Sequence, residues 1–143
     1  MRRFLAMALA LICLVGVFTG CSGRFDWDKT VNKLEEKGLT VAKDYTTADD
    51  RANATAILEA EIKGNGGDFM VVVRKATSFI QDGDYERYCM MIDFETEAQA
   101  NSYRELYIST RGEASNFKIA QTGSIIVFTN LDVVQEVIKL EFQ

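Results

Sequence analysis

Histidine is absent from the 143-residue chain, and proline is absent as well. Ser-His-Asp triads, Cys-His pairs and the common zinc sites all require an imidazole, so the lack of histidine excludes these three kinds of centre. No linker rich in glycine, serine or proline interrupts the sequence. Its length therefore predicts one compact domain.

Basic residues are outnumbered, with 16 Lys and Arg against 21 Asp and Glu. Residues 1–20 contain two of the basic residues and none of the acidic ones, which leaves 14 basic and 21 acidic residues and a net charge of −7 in the rest of the chain. Phosphate binding needs clustered Lys and Arg, and the sequence contains no basic stripe. We therefore expect no nucleic acid partner and a mild repulsion from anionic lipid headgroups.

The N-terminus combines two positive charges with a short apolar stretch. Arg2 and Arg3 precede residues 4–18, in which no side chain is charged or strongly polar. As a helix this stretch would be about 22 Å long, shorter than the ~30 Å hydrocarbon core of a bilayer. The pattern is typical of an export signal, with the arginines on the cytoplasmic side, and does not fit a stable membrane span.

Small residues and a cysteine follow the apolar stretch. Phe18-Thr19-Gly20-Cys21 resembles the lipobox of bacterial lipoproteins, in which Gly20 and Cys21 match the motif and Phe18 replaces the usual aliphatic residue. The resemblance implies that Cys21 is the lipidation site, that its thiol receives a diacylglyceryl group, and that a signal peptidase cuts just before it. An ordinary secretory signal cut near residues 20–23 is the alternative.

Lipobox processing would divide the chain into three parts. Residues 1–20 would be a lipoprotein signal peptide, residues 21–28 a lipidated N-terminus with a short tether, and residues 29–143 a soluble α+β domain. Cys13 leaves with the signal peptide and Cys21 carries the lipid, so Cys89 remains as a thiol and no intramolecular disulfide can form. The expected partner is the cell membrane, through the anchor on Cys21. The expected location of the domain is the extracytoplasmic face.

Capping residues and apolar spacing predict the elements of the domain. Asp26 is the expected N-cap of a first helix that Gly38 ends, and Thr96–Gln99 is an expected capping box. Alternating and helical apolar patterns then predict the elements in order. The first half is expected to contain a helix at 26–38, a strand at 39–44 and an uncertain segment at 47–63. The second half is expected to contain strands at 69–73 and 85–94, a helix at 96–107, a hairpin at 117–128 and a last helix at 131–138.

Three details of this prediction are open. Residues 47–63 fit a helix that starts at Thr47, although alternation near Leu58 also fits a strand. The β-rich run from Phe69 could extend toward Phe79. Thr129 or Asn130 is the expected cap of the last helix, whose inward side chains are expected to be Leu131, Val134, Val137 and Ile138.

The order of elements predicts an α+β fold, a single small domain with helices packed on a largely antiparallel sheet. From Met91 to Ile138, the strand-helix-hairpin-helix order with the segment "IDFETEAQANSY" resembles small, poorly characterised surface lipoproteins of Gram-positive bacteria. That resemblance contains no catalytic motif. It implies a fold and a location, and no activity.

Cys89 would be the only free thiol of the processed chain, and it is therefore a candidate nucleophile. It lies in the apolar strand pattern "YERYCMMIDF", two residues from Arg87, which would share its face of the strand and could lower its pKa. The surrounding apolar side chains favour a buried, inert cysteine instead.

Acidic residues alternate in "QDGDYE", where Asp82, Asp84 and Glu86 suggest calcium and Asp93 falls at the twelfth position of such a loop. The calcium loop needs glycine at its sixth position, and Arg87 stands there. We therefore expect an acidic hairpin tip and no metal site.

Two further motifs have simple explanations. The segment "GNGGD", residues 64–68, lacks the Gly-Lys-Ser/Thr of a phosphate-binding loop and predicts a connecting loop. Asn53-Ala54-Thr55 matches a glycosylation sequon, but the lipobox implies a bacterium, in which that match means little.

These patterns contain no catalytic residue set and imply no cofactor. We expect a cell-envelope lipoprotein whose domain has a non-catalytic role in binding or assembly, with an envelope protein as a partner. The alternative is a carboxylate-dependent hydrolase that acts on cell-wall polymers through two acidic side chains.

Overall fold

The computed structural model of the protein describes residues 24–112 and 115–143. The predicted signal peptide and the predicted lipidation site Cys21 lie outside these residues. The described elements follow in the order α1 (Trp27–Glu36), β1 (Leu39–Tyr45), α2 (Ala48–Gly64), β2 (Val73–Gln81), β3 (Asp84–Phe94), α3 (Glu97–Thr110), β4 (Lys118–Thr122), β5 (Ile125–Thr129) and α4 (Asp132–Ile138).

The first three helices begin at the residues that the sequence predicts as caps. Asp26 accepts a hydrogen bond from the backbone N–H of Lys29 at 3.0 Å, and Thr47 accepts one from the N–H of Asp50 at 3.1 Å. These side chains satisfy N–H groups that have no partner inside the helix. The segment after Thr47 is therefore a helix and not a strand. Helix α1 begins at Trp27.

The five strands form one antiparallel sheet in the order β1-β2-β3-β5-β4. Strands β2 and β3 are joined by a tight turn in which Asp82 and Gly83 have φ angles of 56° and 72°. Two successive positive φ angles are the requirement of a type I′ hairpin turn, for which Asp-Gly is a preferred pair. The protein is a single small α+β domain, as predicted.

Helices cover both faces of the sheet. Neighbouring residues of one strand point to opposite faces, so Met91 packs on the side of α1 and α4 while Ile92 packs on the side of α2 and α3. On β5, Val127 and Ile126 divide in the same way. The domain thus has three layers and two apolar cores, one on each side of the sheet. Every described element and both cores lie between residues 24 and 143.

Strand β2 begins later than predicted, at Val73 and not at Phe69. Ahead of it, the N–H of Val72 donates to the side chain of Gln99 at 3.0 Å, and the carbonyl of Val72 accepts from the N–H of Glu95 at 2.8 Å. Val72 is therefore bonded to the start of α3 and not to a strand. The predicted capping box is only half formed, since Thr96 caps α3 but Gln99 bonds to Val72.

The predicted cap of α4 is wrong. The N-cap of this helix is Leu131, which makes no side-chain capping bond. Asn130 instead accepts from the N–H of Tyr88 at 3.1 Å and donates to the carbonyl of Glu86 at 2.6 Å. Its amide continues the pairing of β3 beyond the end of β5, because it carries a donor and an acceptor like a peptide group.

The two edge strands of the sheet, β1 and β4, differ in structure. On β1 the pairing with β2 shifts register between Val41 and Lys43, which is a β-bulge at the edge. On β4, Ile119 exchanges two backbone hydrogen bonds of 3.0 Å with Gln143, so the C-terminal segment lies along this edge.

Candidate ligand-binding cleft

Cys89 is fully buried in the core between the sheet and the layer of α1 and α4. Burial raises the pKa of its thiol well above the usual value, although a hydrogen bond with Thr129 lowers it in part. Arg87 does not approach the thiol, because its guanidinium bonds to Asp82 at 3.2 Å and to Gln81 at 2.7 Å. The structure therefore places Cys89 as a packed core residue.

Cys89 is expected to resist alkylation by iodoacetamide in native buffer at neutral pH and to react fully after denaturation. The reason is that the thiolate is the reactive form and burial disfavours it. Mass spectrometry of the intact protein before and after addition of denaturant measures the difference. Fast labelling of the native protein would show that this thiol is accessible and ionised.

The acidic residues 82–86 form the tip of the β2–β3 hairpin, as predicted. Asp82 pairs with Arg87, and the carboxylate of Asp84 accepts from the N–H of Glu86 at 2.8 Å. Asp93, at the other end of β3, pairs with Arg74 at 3.1 Å and accepts from Ser124 at 2.6 Å. Over residues 24–112 and 115–143, no group of three or more carboxylate or thiol side chains could hold a metal ion.

The segment "GNGGD" leaves the C-terminal end of α2 as a connecting loop. Asn65 ends the helix, and its side-chain amide donates to the carbonyl of Glu61 at 2.9 Å. Gly67 packs tightly there, since a Cβ at this position would lie 2.7 Å from the side chain of Ile62. The loop therefore closes one end of a hollow between α2 and α3.

This hollow is lined by aromatic and charged side chains, and we call it the cleft. It consists of two adjoining parts of about 280 Å³ and 130 Å³ that share Glu61, Tyr103 and Phe128. Helices α2 and α3 form its sides, and β3 and β5 contribute to its floor. Tyr103 and Tyr107 are four residues apart on α3, so they face the cleft together.

Aromatic rings make up much of the lining. Phe128 of β5 lies at the centre, stacked on Phe117 with 4.9 Å between ring centroids and in edge contact with Tyr107 at 4.7 Å. Tyr88 of β3 lies 5.0 Å from Phe117 and 5.8 Å from Phe128. These separations are favourable for aromatic pairs, which keep the rings in fixed positions.

Two charged side chains lie among the rings. The hydroxyl of Tyr103 donates to the carboxylate of Glu61 at 3.3 Å. Arg111 follows the end of α3 and donates to the backbone carbonyls of Phe117 and Gln143. The guanidinium therefore ties down the chain at one end of the cleft, whereas the carboxylate lies where the two parts of the cleft meet.

Glu61 sets the electrostatics of the lining. Burial raises the pKa of Tyr88, Tyr103 and Tyr107, and the negative charge of Glu61 raises the pKa of each of them further. For Tyr107 a hydrogen bond with Ser115 and the charge of Arg111 act in the opposite direction. The three phenols thus stay protonated at neutral pH, and all three lie in the field of one carboxylate.

None of the residues that line the cleft was predicted as part of a site. The sequence places Tyr103 and Tyr107 on one face of a helix, which is also the pattern of ordinary core residues. Glu61 and Phe128 come from elements 42 and 25 residues away from Tyr103, and nothing in a single sequence indicates that they meet. The helical spacing of the two tyrosines is the only local signal.

Comparison of the chain with protein-family models, curated proteins and solved structures finds no match in any of the three. The site must therefore be interpreted from its own chemistry. Among the helices of the described residues, none has the length and apolar character needed to cross a membrane.

Proposed function

We propose that this chain is a cell-envelope lipoprotein whose extracytoplasmic domain binds a small organic cation in the cleft, without catalysis. The N-terminal pattern that ends at Cys21 supports the envelope location. The observation that carries the binding proposal is the position of the Glu61 carboxylate beside six aromatic side chains, which are Tyr45, Tyr88, Tyr103, Tyr107, Phe117 and Phe128.

The chemistry of the lining around Glu61 favours a positive charge, whereas the guanidinium of Arg111 lies at the other end of the cleft and is bonded to backbone carbonyls. The face of an aromatic ring attracts cations, and quaternary ammonium groups are bound in proteins by several rings together. The carboxylate of Glu61 adds a charge of the complementary sign at an exposed position beside the rings, where an incoming ligand can reach it. A cleft of a few hundred Å³ with apolar walls and few polar groups is typical of small-molecule sites.

A hydrolase is less well supported by the same lining. Glycoside hydrolysis needs two carboxyl groups that flank the scissile bond. Of the described residues that line the two parts of the cleft, Glu61 is the only one with a carboxylate. A second acidic side chain would have to come from elsewhere, so binding is the simpler function for this site.

Choline and its neutral isostere 3,3-dimethylbutanol provide a matched pair of probes for the cleft. We expect choline to bind and the alcohol to bind at least ten-fold more weakly, because the two differ in charge and hardly in shape. Glu61→Gln should weaken choline binding by about ten-fold, equivalent to about 1.4 kcal/mol. Isothermal titration calorimetry measures both differences.

Glu59→Gln is the control for this experiment. It removes the same charge from the same helix, but Glu59 does not line the cleft. Equal binding of choline and the alcohol, or equal losses for the two variants, would contradict the proposal. Incubation with peptidoglycan, followed by mass spectrometry, tests the alternative, and turnover that Glu61→Gln abolishes would establish a hydrolase.

A further inference from the structure

A second concave surface lies on the opposite side of the sheet, between α1 and the end of α4. It has a volume of about 600 Å³ and is lined by residues of α1 and the segment before it, by residues at the end of α4 and just after it, and by the last residue of β4. Its apolar floor includes Phe25 and Ile138. We call this surface the basic hollow because of the charged residues around it, which are Arg24, Lys29, Lys33 and Lys139.

The positive charges of the basic hollow are not neutralised within the domain. Among the described residues, none of the four forms an ion pair within 4.0 Å. Asp26 is the one carboxylate that lines the hollow, and it accepts the N-terminal capping bond of α1 from the N–H of Lys29. The lining of the hollow thus carries three more positive than negative charges, and Glu36 and Glu136 lie outside it on an adjoining surface.

The arrangement of these charges on α1 is unfavourable in isolation. Lys29 and Lys33 are four residues apart and therefore lie on one face of the helix, where like charges repel. The domain is acidic as a whole, whereas the lining of this hollow contains four basic side chains and one acidic one. The expectation that anionic headgroups would repel the domain follows from the mean charge and does not take this separation into account.

We propose that the basic hollow docks onto anionic phospholipid headgroups of the membrane that holds the protein. The inference rests on the proposed anchor at Cys21, which precedes Arg24 by three residues. Three residues span at most about 10 Å when fully extended. Surface potentials extend over about 8–10 Å at physiological salt, so an anchored domain keeps this hollow within the field of the headgroups.

Docking in this way orients the whole domain. The layer of α1 and α4 faces the bilayer, and the sheet lies between the membrane and the layer of α2 and α3. The cleft, which lies between α2 and α3, then opens away from the membrane. A ligand can therefore enter from the envelope while the domain stays docked.

The test uses the unlipidated protein, residues 21–143 with Cys21→Ser, which contains all the described elements. It is mixed with phosphatidylcholine vesicles that contain or lack phosphatidylglycerol, and bound protein is measured by sedimentation. We expect binding only in the presence of phosphatidylglycerol. Each lysine of the hollow that is changed to glutamine should weaken binding by about five-fold, and Lys29→Gln with Lys33→Gln by about 25-fold.

Two variants separate the effect of charge from effects on folding. Lys139 has a φ angle of 51°, a conformation that glycine adopts more easily, so Lys139→Gly removes a charge of the hollow without straining the backbone. Its binding should fall by about five-fold while its thermal stability is kept. Lys43→Gln with Lys63→Gln removes two exposed charges outside the hollow and should leave binding unchanged.

Specific outcomes would overturn the inference. Equal losses for the two double variants would mean that only net charge matters, and equal binding to both kinds of vesicle would exclude headgroup recognition. A third measurement adds inorganic phosphate, at constant ionic strength, to the protein and to the mixture of protein and vesicles. If phosphate alone stabilises the domain and displaces it from vesicles, the hollow is a site for the free ion. Since neither the anchor nor the cleft takes part, these results do not depend on choline binding.

Discussion

Cys21→Ser is expected to abolish incorporation of labelled palmitate into the protein and to leave it either uncleaved or released into the medium. The thiol is the atom to which the lipobox resemblance assigns the diacylglyceryl group, and serine cannot form the thioether. Each buried methylene contributes about 0.8 kcal/mol to membrane binding, so two acyl chains hold a protein almost permanently whereas one holds it reversibly. The expected change is therefore from full labelling with palmitate to none, and any cleaved variant protein moves from the membrane to the medium.

Cys13→Ser and Cys89→Ser are the matched controls, because they remove the other two cysteines of the chain. Both variants should keep the label. Identical partition of the wild type and Cys21→Ser between membrane and medium would exclude the lipobox and favour an ordinary secretory signal.

Phe94→Ala and Phe79→Ala should each lower the free energy of unfolding by about 3–5 kcal/mol. Both rings are fully buried, Phe94 in the core beside α2 and α3 and Phe79 in the core beside α1 and α4. The loss combines the transfer of the ring to water with the cavity that remains. It is a large part of the 5–15 kcal/mol that is typical of a whole domain.

The two variants are controls for each other. Phe94 lies 5.5 Å from the ring of Tyr103, so its removal should also weaken choline binding, whereas the removal of Phe79 should not. Urea denaturation measures stability, and calorimetry on the folded variants measures binding. A loss of less than about 1 kcal/mol for either variant would mean that the ring is not packed in a core as described.

Local features of the fold could be predicted from the sequence because they depend on neighbouring residues. Asp26, Thr47 and Thr96 cap helices through bonds to N–H groups three residues ahead, and Gly123 marks the turn between β4 and β5 with a φ angle of 56°. The turn at Asp82 has the same local cause. The antiparallel pairs β2–β3 and β4–β5 follow from the short connections between their strands.

Long-range features could not be predicted. The order of elements does not indicate that α1 and α4 cover one face and α2 and α3 the other. Asn130 is a residue type that often caps helices. Its side chain instead accepts a hydrogen bond from the N–H of Tyr88, in a strand 42 residues earlier in the chain. The cleft is missed for the same reason, since Glu61 and Phe128 meet only in the tertiary structure.

The basic hollow was missed because average charge conceals its distribution. A net charge of −7 outside residues 1–20 gives no indication that Lys29 and Lys33 share a surface with Lys139, more than one hundred residues later. The spacing of the two lysines on α1 could be seen, but their lack of acidic partners could not.

The features at the two edges of the sheet have a consequence for contacts between copies of the protein. Proteins held in the plane of a membrane meet each other often, and a free strand edge is a template on which a second copy can add its own sheet. On β4 the pairing of Ile119 with Gln143 occupies that template, and on β1 the bulge next to Lys43 interrupts it and adds a charge. Both features disfavour edge-to-edge pairing between copies of the domain, and they leave the outer surfaces of the helices as the surfaces on which copies could meet.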